Sequence, residues 1–210
     1  LRDGDTFVDI GAHFGEFSLL ASKVVGPAGR VFAFEPSPIM FSFLAGNVRT
    51  NGVTNVQLLP IAASDHDGTM RFRVASEPGL SHLTRPREEP NNNEIDVAST
   101  RLDTWSTGIS GSIELIKVDV EGAELAVFRG AIKILTRPGI EAPLWIFEYE
   151  PSSWAAYGHT IEDATQLLTE CGYLLGIYTE GEGLREIEPG DAFVESRKFS
   201  TNLIAFKPEH

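Results

Sequence analysis

The chain has little cysteine, a deficit of basic residues and no long apolar run. Cys171 is the single cysteine among 210 residues, which excludes an intrachain disulfide and a thiolate zinc site. The 17 basic residues face 30 acidic ones, and the resulting formal charge of -13 opposes any partner that is held through its phosphates. We therefore expect no nucleic-acid partner.

No apolar stretch approaches the roughly 18 residues of a membrane-spanning helix, so we expect no membrane partner. The scarcity of cysteine fits a reducing compartment, and the cytoplasm is the expected location. Residues 1–5 contain no initiator methionine and no basic or apolar leader, so we expect a trimmed chain that lacks an N-terminal extension. The length indicates one domain over residues 1–210. Composition gives no indication of an oligomeric state.

Strand-like and helix-like patterns alternate along the first third of the chain. Residues 6–10 form a short apolar run, and apolar residues then recur at helical spacing up to Gly26. The same order returns with a strand at 31–34, a helix that ends before Asn51, and a strand at 56–63. This order predicts the α/β class with a doubly wound, Rossmann-like, mostly parallel sheet, whose ligands bind at the carboxyl ends of its strands.

The rest of the chain adds further strands and helices. The predicted strands are residues 113–119, 144–149, 173–178 and 202–206. The last two form a C-terminal antiparallel pair. One helix carries Leu125, Phe128, Ile132 and Leu135 on a single face. The final helix begins at Thr160, which forms a capping pair with Asp163.

Two segments lack a period and are predicted to be loops. Residues 76–94 are rich in Pro, Glu, Asn and Arg, and residues 179–200 are mainly polar. Residues 69–74 alternate between apolar and polar side chains, which is typical of a half-exposed, peripheral hairpin strand. Long loops in compact domains are often functional lids, so we expect both segments to border an acceptor site.

The first turn, residues 11–15, joins a strand to a helix and is a candidate cofactor site. A dinucleotide site has G-x-G-x-x-G here, so that the backbone lies against a pyrophosphate at the helix N-terminus. In this chain His13 and Glu16 take the places of the second and third glycines, and both oppose an anionic cofactor. S-adenosylmethionine carries two cationic groups and no phosphate, so acidic residues such as Asp9 favour it. A tight turn without a ligand is the alternative.

Glu35 ends the second strand, 24 residues after Gly11, and Pro36 and Ser37 follow it. A carboxylate at this place offers two acceptor oxygens to the hydroxyls of a ribose. The alternative is a solvated acid at a strand end. Ala63 ends the third strand, where a small side chain leaves room for an adenine ring.

The most informative stretch is residues 113–124. Strand periodicity places Lys117 and Asp119 on one side of a central strand. Because uncompensated buried charge is costly, this pair is either a structural ion pair or a functional one. Glu148 and Glu150 end the next strand, so carboxyl groups of neighbouring strands are expected to converge on one rim.

Together these motifs resemble the FkbM family of S-adenosylmethionine-dependent methyltransferases. The matching pieces are residues 7–15 (FVDIGAHFG), 34–36 (FEP), 62–65 (AASD), 100–103 (TRLD), 117–124 (KVDVEGAE) and 128–131 (FRGA). The family often has Asn where His13 stands, and its members usually continue upstream of the first strand. The resemblance implies a class I methyltransferase sheet and O-methylation of a hydroxyl on a sugar or polyketide-type small molecule.

The resemblance also implies a role for individual residues. The implied cofactor-binding residues are Asp9, Gly11, Ala12, His13, Gly15, Glu35, Pro36, Ser37, Ala63 and Asp119. Among them, Glu35 binds the ribose, Ala63 borders the adenine and Asp119 faces the methyl-transfer centre.

Methyl transfer from a sulfonium to a hydroxyl is an in-line displacement, in which positioning and the exclusion of water dominate. A general base assists because an unactivated hydroxyl is a weak nucleophile. Asp119 and Glu148 are the candidate catalytic bases, and His13 is a third, less favoured candidate. The same acids have the alternative of holding a divalent cation that lowers the pKa of the hydroxyl, and spacing does not decide between the two roles.

Two other functions fit parts of the sequence. One is a module that binds S-adenosylmethionine without catalysis, against which the retained Lys117 and Asp119 argue. The other is an NAD-dependent oxidoreductase on the same architecture, which His13 and Glu16 disfavour. The expected partner is a small-molecule hydroxyl acceptor, whose identity the two predicted loops do not disclose.

Overall fold

A computed structural model describes residues 1–75, 80–188 and 201–208. The strands are β1 (Thr6–Ile10), β2 (Arg30–Phe34), β3 (Val56–Leu59), β4 (Ala62–Ala63), β5 (Gly68–Arg73), β6 (His82–Leu83), β7 (Glu94–Thr100), β8 (Leu115–Val118), β9 (Leu144–Tyr149), β10 (Leu174–Thr179), β11 (Gly183–Ile187) and β12 (Thr201–Phe206). The α-helices are α1 (Glu16–Val25), α2 (Pro38–Thr50), α3 (Leu102–Trp105), α4 (Glu124–Arg129), α5 (Ile132–Leu135), α6 (Pro151–Ala156) and α7 (Ile161–Glu170). None of the helices within these ranges has the length and apolar character needed to cross a membrane.

Eight strands form one large sheet in the order β11-β10-β12-β9-β8-β1-β2-β3. The strands from β9 to β3 are parallel, and β12 lies antiparallel between β9 and β10. All five residues of β1 are buried, as expected for a central parallel strand that is covered on both faces. The doubly wound, mostly parallel sheet and its C-terminal antiparallel pair, β10 and β12, are therefore confirmed.

A second sheet of four strands, in the order β4-β7-β5-β6, corrects two predictions. The strand predicted over residues 56–63 is broken, because Pro60 has no N–H to donate to a ladder. Its last two residues, Ala62 and Ala63, pair with β7 instead. The strand predicted at residues 69–74 exists but is not peripheral, since β5 pairs with both β6 and β7 and Phe72 is buried.

Both predicted loops contain strands. The short strand β6 and the first residue of β7 fall within residues 76–94, and β11 falls within residues 179–200, where it forms a hairpin with β10. A strand of two residues such as β6 is too short to show a period, so its sequence does not predict it. Residues 76–79 and 189–200 of the two predicted loops lie outside the described residues.

The helix predicted across residues 125–135 is two helices, α4 and α5. Gly130 lies at the break and packs on the backbone of Ser64, whose carbonyl oxygen would be 2.0 Å from a Cβ at this position. The Asp103 carboxylate accepts a hydrogen bond from the Lys133 amide at 3.0 Å and so begins α5 anew. The break is thus set by contacts with distant parts of the chain.

Helix α7 begins with the predicted capping pair, in which the Thr160 hydroxyl and the Asp163 carboxylate each accept the other residue's backbone N–H. The preceding helix α6 is not predicted from the sequence. The Glu150 carboxylate caps its start by accepting from the amides of Ser152 and Ser153, at 3.2 and 2.6 Å. Glu150 is therefore a helix cap, and it lies close enough to Glu121 for its charge to contribute to the raised pKa of that residue.

The apolar spacing of α1 predicts the helix but not the direction of its apolar side. Three apolar side chains are 48%, 58% and 44% exposed, namely Phe17, Leu20 and Val24. The inward side carries the apolar Ala21 and Val25. It also carries two polar groups, with the Ser18 hydroxyl donating to Asp9 at 2.6 Å and the Ser22 hydroxyl to Asn55 at 2.5 Å. The side of α1 that meets the sheet therefore combines two apolar side chains with two hydrogen-bonded serines.

Candidate functional site

A cavity of about 240 Å³ lies at the carboxyl ends of β1, β2 and β8, and the second sheet forms part of its wall. Six of the predicted site residues line it, namely Gly11, His13, Glu35, Pro36, Ala63 and Asp119. The predicted residues outside its lining are Asp9, Ala12, Gly15, Ser37 and Glu148. Phe72 and Glu121 also line the cavity and were not predicted, whereas Ser81, His82 and Leu83 fall within the segment 76–94 that was expected to border an acceptor site.

The first turn packs tightly against the end of β8. Gly11 has φ 79°, and a Cβ there would lie 1.8 Å from the carbonyl oxygen of Asp119. His13 also has a positive φ, 53°, which directs the turn past the end of β1. Its buried Nε2 has no hydrogen-bond partner among the described residues, and burial lowers the pKa of its imidazole. A neutral imidazole at the cavity wall is thus available to a ligand.

Glu35 presents a buried carboxyl group at the end of β2. One oxygen accepts from the His13 amide and the other from the Ser37 amide, each at 2.8 Å. Burial raises the pKa of Glu35 to about 7, against the opposite effect of these two hydrogen bonds. Because each carboxylate oxygen accepts more than one hydrogen bond, the group retains acceptor capacity toward the cavity.

A buried carboxyl group lies behind the first turn. Asp9 is 1% exposed, and its Oδ1 has no hydrogen-bond partner in the described part of the chain. Burial raises the pKa of Asp9, while the charge of Lys117 opposes this rise. The Lys117 ammonium lies 2.8 Å from the Asp119 carboxylate and 4.7 Å above the ring of Phe17. The charged pair predicted in the central strand is therefore matched, and its acid also faces the cavity.

Three carboxyl groups meet at the rim of the cavity. One oxygen each of Asp119, Glu121 and Glu148 lies within 4.8 Å of the other two. Burial raises the pKa of Glu121 to about 7, and the negative charges of Glu148 and Asp119 add to the rise. The expected convergence of Asp119 and Glu148 is observed. Glu121 joins them because it has φ 58°, so the chain turns sharply at the end of β8.

Contacts also tie the second sheet to this rim. The Tyr157 hydroxyl donates a hydrogen bond to the carbonyl oxygen of Leu83, on the cavity wall. The Arg85 guanidinium lies 5.8 Å above the Tyr157 ring, and its Nη2 is 3.5 Å from the carbonyl oxygen of Glu121. Residues 81–83, part of the first predicted lid, thus border the cavity and are linked to the rim.

Comparison with known proteins places these features in a family. The family described as the methyltransferase FkbM domain matches residues 9–175. The 31-O-demethyl-FK506 methyltransferase FkbM of Streptomyces tacrolimicus is 28% identical over 159 residues, which cover 62% of this chain and 60% of that protein. The 2-O-methyltransferase NoeI of Sinorhizobium fredii is 28% identical over 127 residues, which cover 53% of this chain and 51% of that protein. The match therefore spans between half and three fifths of these relatives.

Solved structures agree on the fold. Methyltransferase FkbM from Methylobacillus flagellatus KT superposes with a TM-score of 0.60 at 20% identity, covering 98% of this chain and 44% of that one. Aeropyrum pernix fibrillarin, solved with natively bound S-adenosyl-L-methionine, superposes with a TM-score of 0.54 at 12% identity. The superposition covers 98% of this chain and 67% of that one. Since the family match includes the first turn, the end of β2 and the rim of one cavity, the chain belongs to the FkbM methyltransferase family.

Proposed function

We propose that the chain binds S-adenosylmethionine in this cavity and methylates a hydroxyl of a sugar or polyketide-type small molecule. The observation that carries the proposal is the convergence of Glu35, the first turn and Asp119 on one cavity at the strand carboxyl ends. Open α/β sheets bind their ligands at this edge. The names of the two relatives, both of which specify methylation at oxygen, support the hydroxyl as acceptor.

The cavity residues fit S-adenosylmethionine better than an anionic cofactor. Glu35 offers acceptor oxygens to a ribose, and the orphaned Nε2 of His13 needs a polar partner. No lysine or arginine occurs among the described residues that line the cavity, so a pyrophosphate would lack a cationic partner. The sign of the rim charges suits a sulfonium, and an NAD-dependent reaction stays disfavoured.

Bound S-adenosylmethionine supplies an electrophilic methyl group on a sulfonium. The protein's task is then to place the acceptor hydroxyl, exclude water and take up one proton. Among the rim acids, Asp119 already accepts from Lys117 with one oxygen, and Glu148 lies outside the described cavity lining. Glu121 lines the cavity and burial raises its pKa to about 7, so it is a better placed base than either predicted residue.

The carboxyl groups of Asp119, Glu121 and Glu148 offer the kind of oxygen ligand that Mg²⁺ and Ca²⁺ prefer. Full activity after treatment with EDTA supports a protein base, whereas activity that returns only with added Mg²⁺ supports a bound cation.

The predicted absence of nucleic-acid and membrane partners and the cytoplasmic location stay predictions.

Glu35→Gln is expected to weaken S-adenosylmethionine binding by about 10- to 100-fold, because hydrogen bonds to a charged group contribute roughly 1.5–3 kcal/mol. Calorimetric titration of S-adenosylmethionine, its demethylated product and NAD measures this. The first two ligands should bind and NAD should give no heat. Glu162→Gln, at an exposed glutamate on α7 outside the described cavity lining, is the matched control and should bind normally. Equal affinity of a folded Glu35→Gln variant and the unmodified protein would refute the ribose assignment.

The acceptor class is tested with S-adenosylmethionine that carries an isotopically labelled methyl group. Incubation with a panel of sugars, macrolactone alcohols and matching amines, followed by mass spectrometry, identifies the atom that receives the label. We expect labelled methyl ethers only. A labelled amine would move the activity to another class, and binding of S-adenosylmethionine without any transfer would favour the non-catalytic module.

A further inference from the structure

Glu124 is a completely buried acidic residue that lies behind the carboxyl rim. It is the first residue of α4, its side chain has no solvent exposure, and it is not one of the described residues that line the cavity. A buried carboxyl group costs free energy unless hydrogen bonds offset its desolvation. Burial raises the pKa of Glu124 to about 8, against the opposite effect of the backbone hydrogen bonds that its carboxyl group accepts.

One oxygen of this carboxyl group holds the turn between β8 and α4. Its Oε1 accepts hydrogen bonds from the amides of Val120 and Gly122, at 3.0 and 3.3 Å. These two amides flank Glu121, whose φ of 58° lies in the left-handed region that a glutamate rarely adopts. Glu124 thus satisfies the two amides and restrains the strained residue between them.

The two ends of the turn have anchors of their own. The Asp119 amide donates to the carbonyl oxygen of Ile10 at 3.0 Å, which fixes the strand side. On the helix side, Gly122 packs on α6 so closely that a Cβ would lie 2.5 Å from the carbonyl oxygen of Ser153. The two hydrogen bonds to Glu124 act between these anchors, where the backbone carries the Glu121 side chain.

We propose that Glu124 is a positioning residue for methyl transfer, which fixes the turn after β8 and thereby places the carboxyl groups of Asp119 and Glu121. This inference rests on the proposed function of the rim. A glutamine at position 124 retains a carbonyl oxygen for the two amides, whereas an alanine has no acceptor. The two substitutions should therefore differ sharply in effect, although both remove the titrating group.

The experiment compares Glu124→Gln and Glu124→Ala with Asp103→Ala. The Asp103 carboxylate also accepts a backbone amide at a helix start, that of α5, but it lies outside the described cavity lining. We expect Glu124→Ala to lower kcat by about 100-fold and to move the acid limb of the pH profile. Glu124→Gln should restore most of the turnover. Asp103→Ala should lower the melting temperature and leave kcat and the pH profile unchanged.

A second readout does not require turnover. Carbon-13 NMR titration follows the Glu121 carboxyl group, and hydrogen exchange follows the amides of Val120 and Gly122. We expect Glu124→Ala to shift the titration and speed the exchange, and Glu124→Gln to leave both close to normal. Glu124→Met, which fills similar space without an oxygen acceptor, replaces the alanine variant if that variant does not fold.

Two results overturn the proposal. The first is an unchanged pH profile and unchanged amide exchange in a folded Glu124→Ala or Glu124→Met protein. The second is a Glu124→Gln protein that is as impaired as Glu124→Ala, because the acceptor oxygen would then not be the operative feature. Failure of the unmodified protein to methylate any hydroxyl refutes the proposed function instead, and the NMR and exchange data still decide whether Glu124 positions the turn.

Discussion

Replacing Gly11 with alanine is expected to unfold the protein or to lower its melting temperature by roughly 10 °C or more. The glycine has φ 79°, and an added Cβ would lie 1.8 Å from the carbonyl oxygen of Asp119. The overlap cannot be relieved by a side-chain rotation, because the Cβ is bonded directly to the backbone after β1 and the carbonyl oxygen belongs to the backbone after β8. Steric overlap combined with a left-handed backbone should cost more than about 4 kcal/mol, the size that single substitutions rarely exceed. The melting temperature is measured by thermal denaturation, with circular dichroism as the signal.

Gly46→Ala is the matched control for this prediction. Gly46 lies inside α2, and a Cβ there meets no atom within 4 Å. Alanine is the better helix former by roughly 0.5–1 kcal/mol, so this variant should melt slightly above the unmodified protein. A Gly11→Ala protein that melts within a few degrees of Gly46→Ala would show that the first turn does not need its close approach to β8.

Turnover is expected to rise with pH through an apparent pKa near 7, and Glu121→Gln should lower kcat by about 100-fold and abolish this rise. The sign follows from the role of a base. Burial and the neighbouring carboxyl groups raise the pKa of Glu121 to about 7, so the carboxylate that accepts a proton prevails only above that pH. The measurement is kcat from pH 5.5 to 9 with saturating cofactor.

Two further variants make this result specific to Glu121. Asp119→Asn should also reduce kcat, because its carboxylate faces the cavity, but it should retain a pH dependence. Glu162→Gln, at an exposed glutamate on α7, should behave as the unmodified protein does. Normal kcat and a normal acid limb in Glu121→Gln would return the role of base to Asp119 or Glu148.

The parts of the fold that were predicted from the sequence depend on neighbouring residues. The order from β1 to β3, the ends of α1 and α2 at Gly26 and Asn51, and the capping pair of Thr160 and Asp163 all follow from local chemistry. The pairing of Ala62 and Ala63 with β7 and the split between α4 and α5 depend instead on contacts with distant segments. Patterns within a short window do not contain such contacts.

The site shows the same division. The sequence indicated Glu35 and Asp119, because each directly follows a recognisable apolar strand. Glu121 was missed because its place depends on a positive φ and on a carboxyl group from the next strand. In α1, likewise, the helical spacing predicted an apolar side, but the sequence did not show that Phe17 and Leu20 face outward, because that depends on how the helix packs on the sheet.

The pairing of β1 with β8 affects the order in which the protein assembles. The Thr6 amide donates to the Glu114 carboxylate, although 108 residues separate the two. Closing so long a loop costs chain entropy before any contact forms, whereas the elements from β1 to β3 follow one another directly. During refolding from denaturant, helical signal should therefore return first and cofactor binding last. An arrested intermediate would contain helices and no pocket, which makes ligand affinity a sensitive report of complete folding.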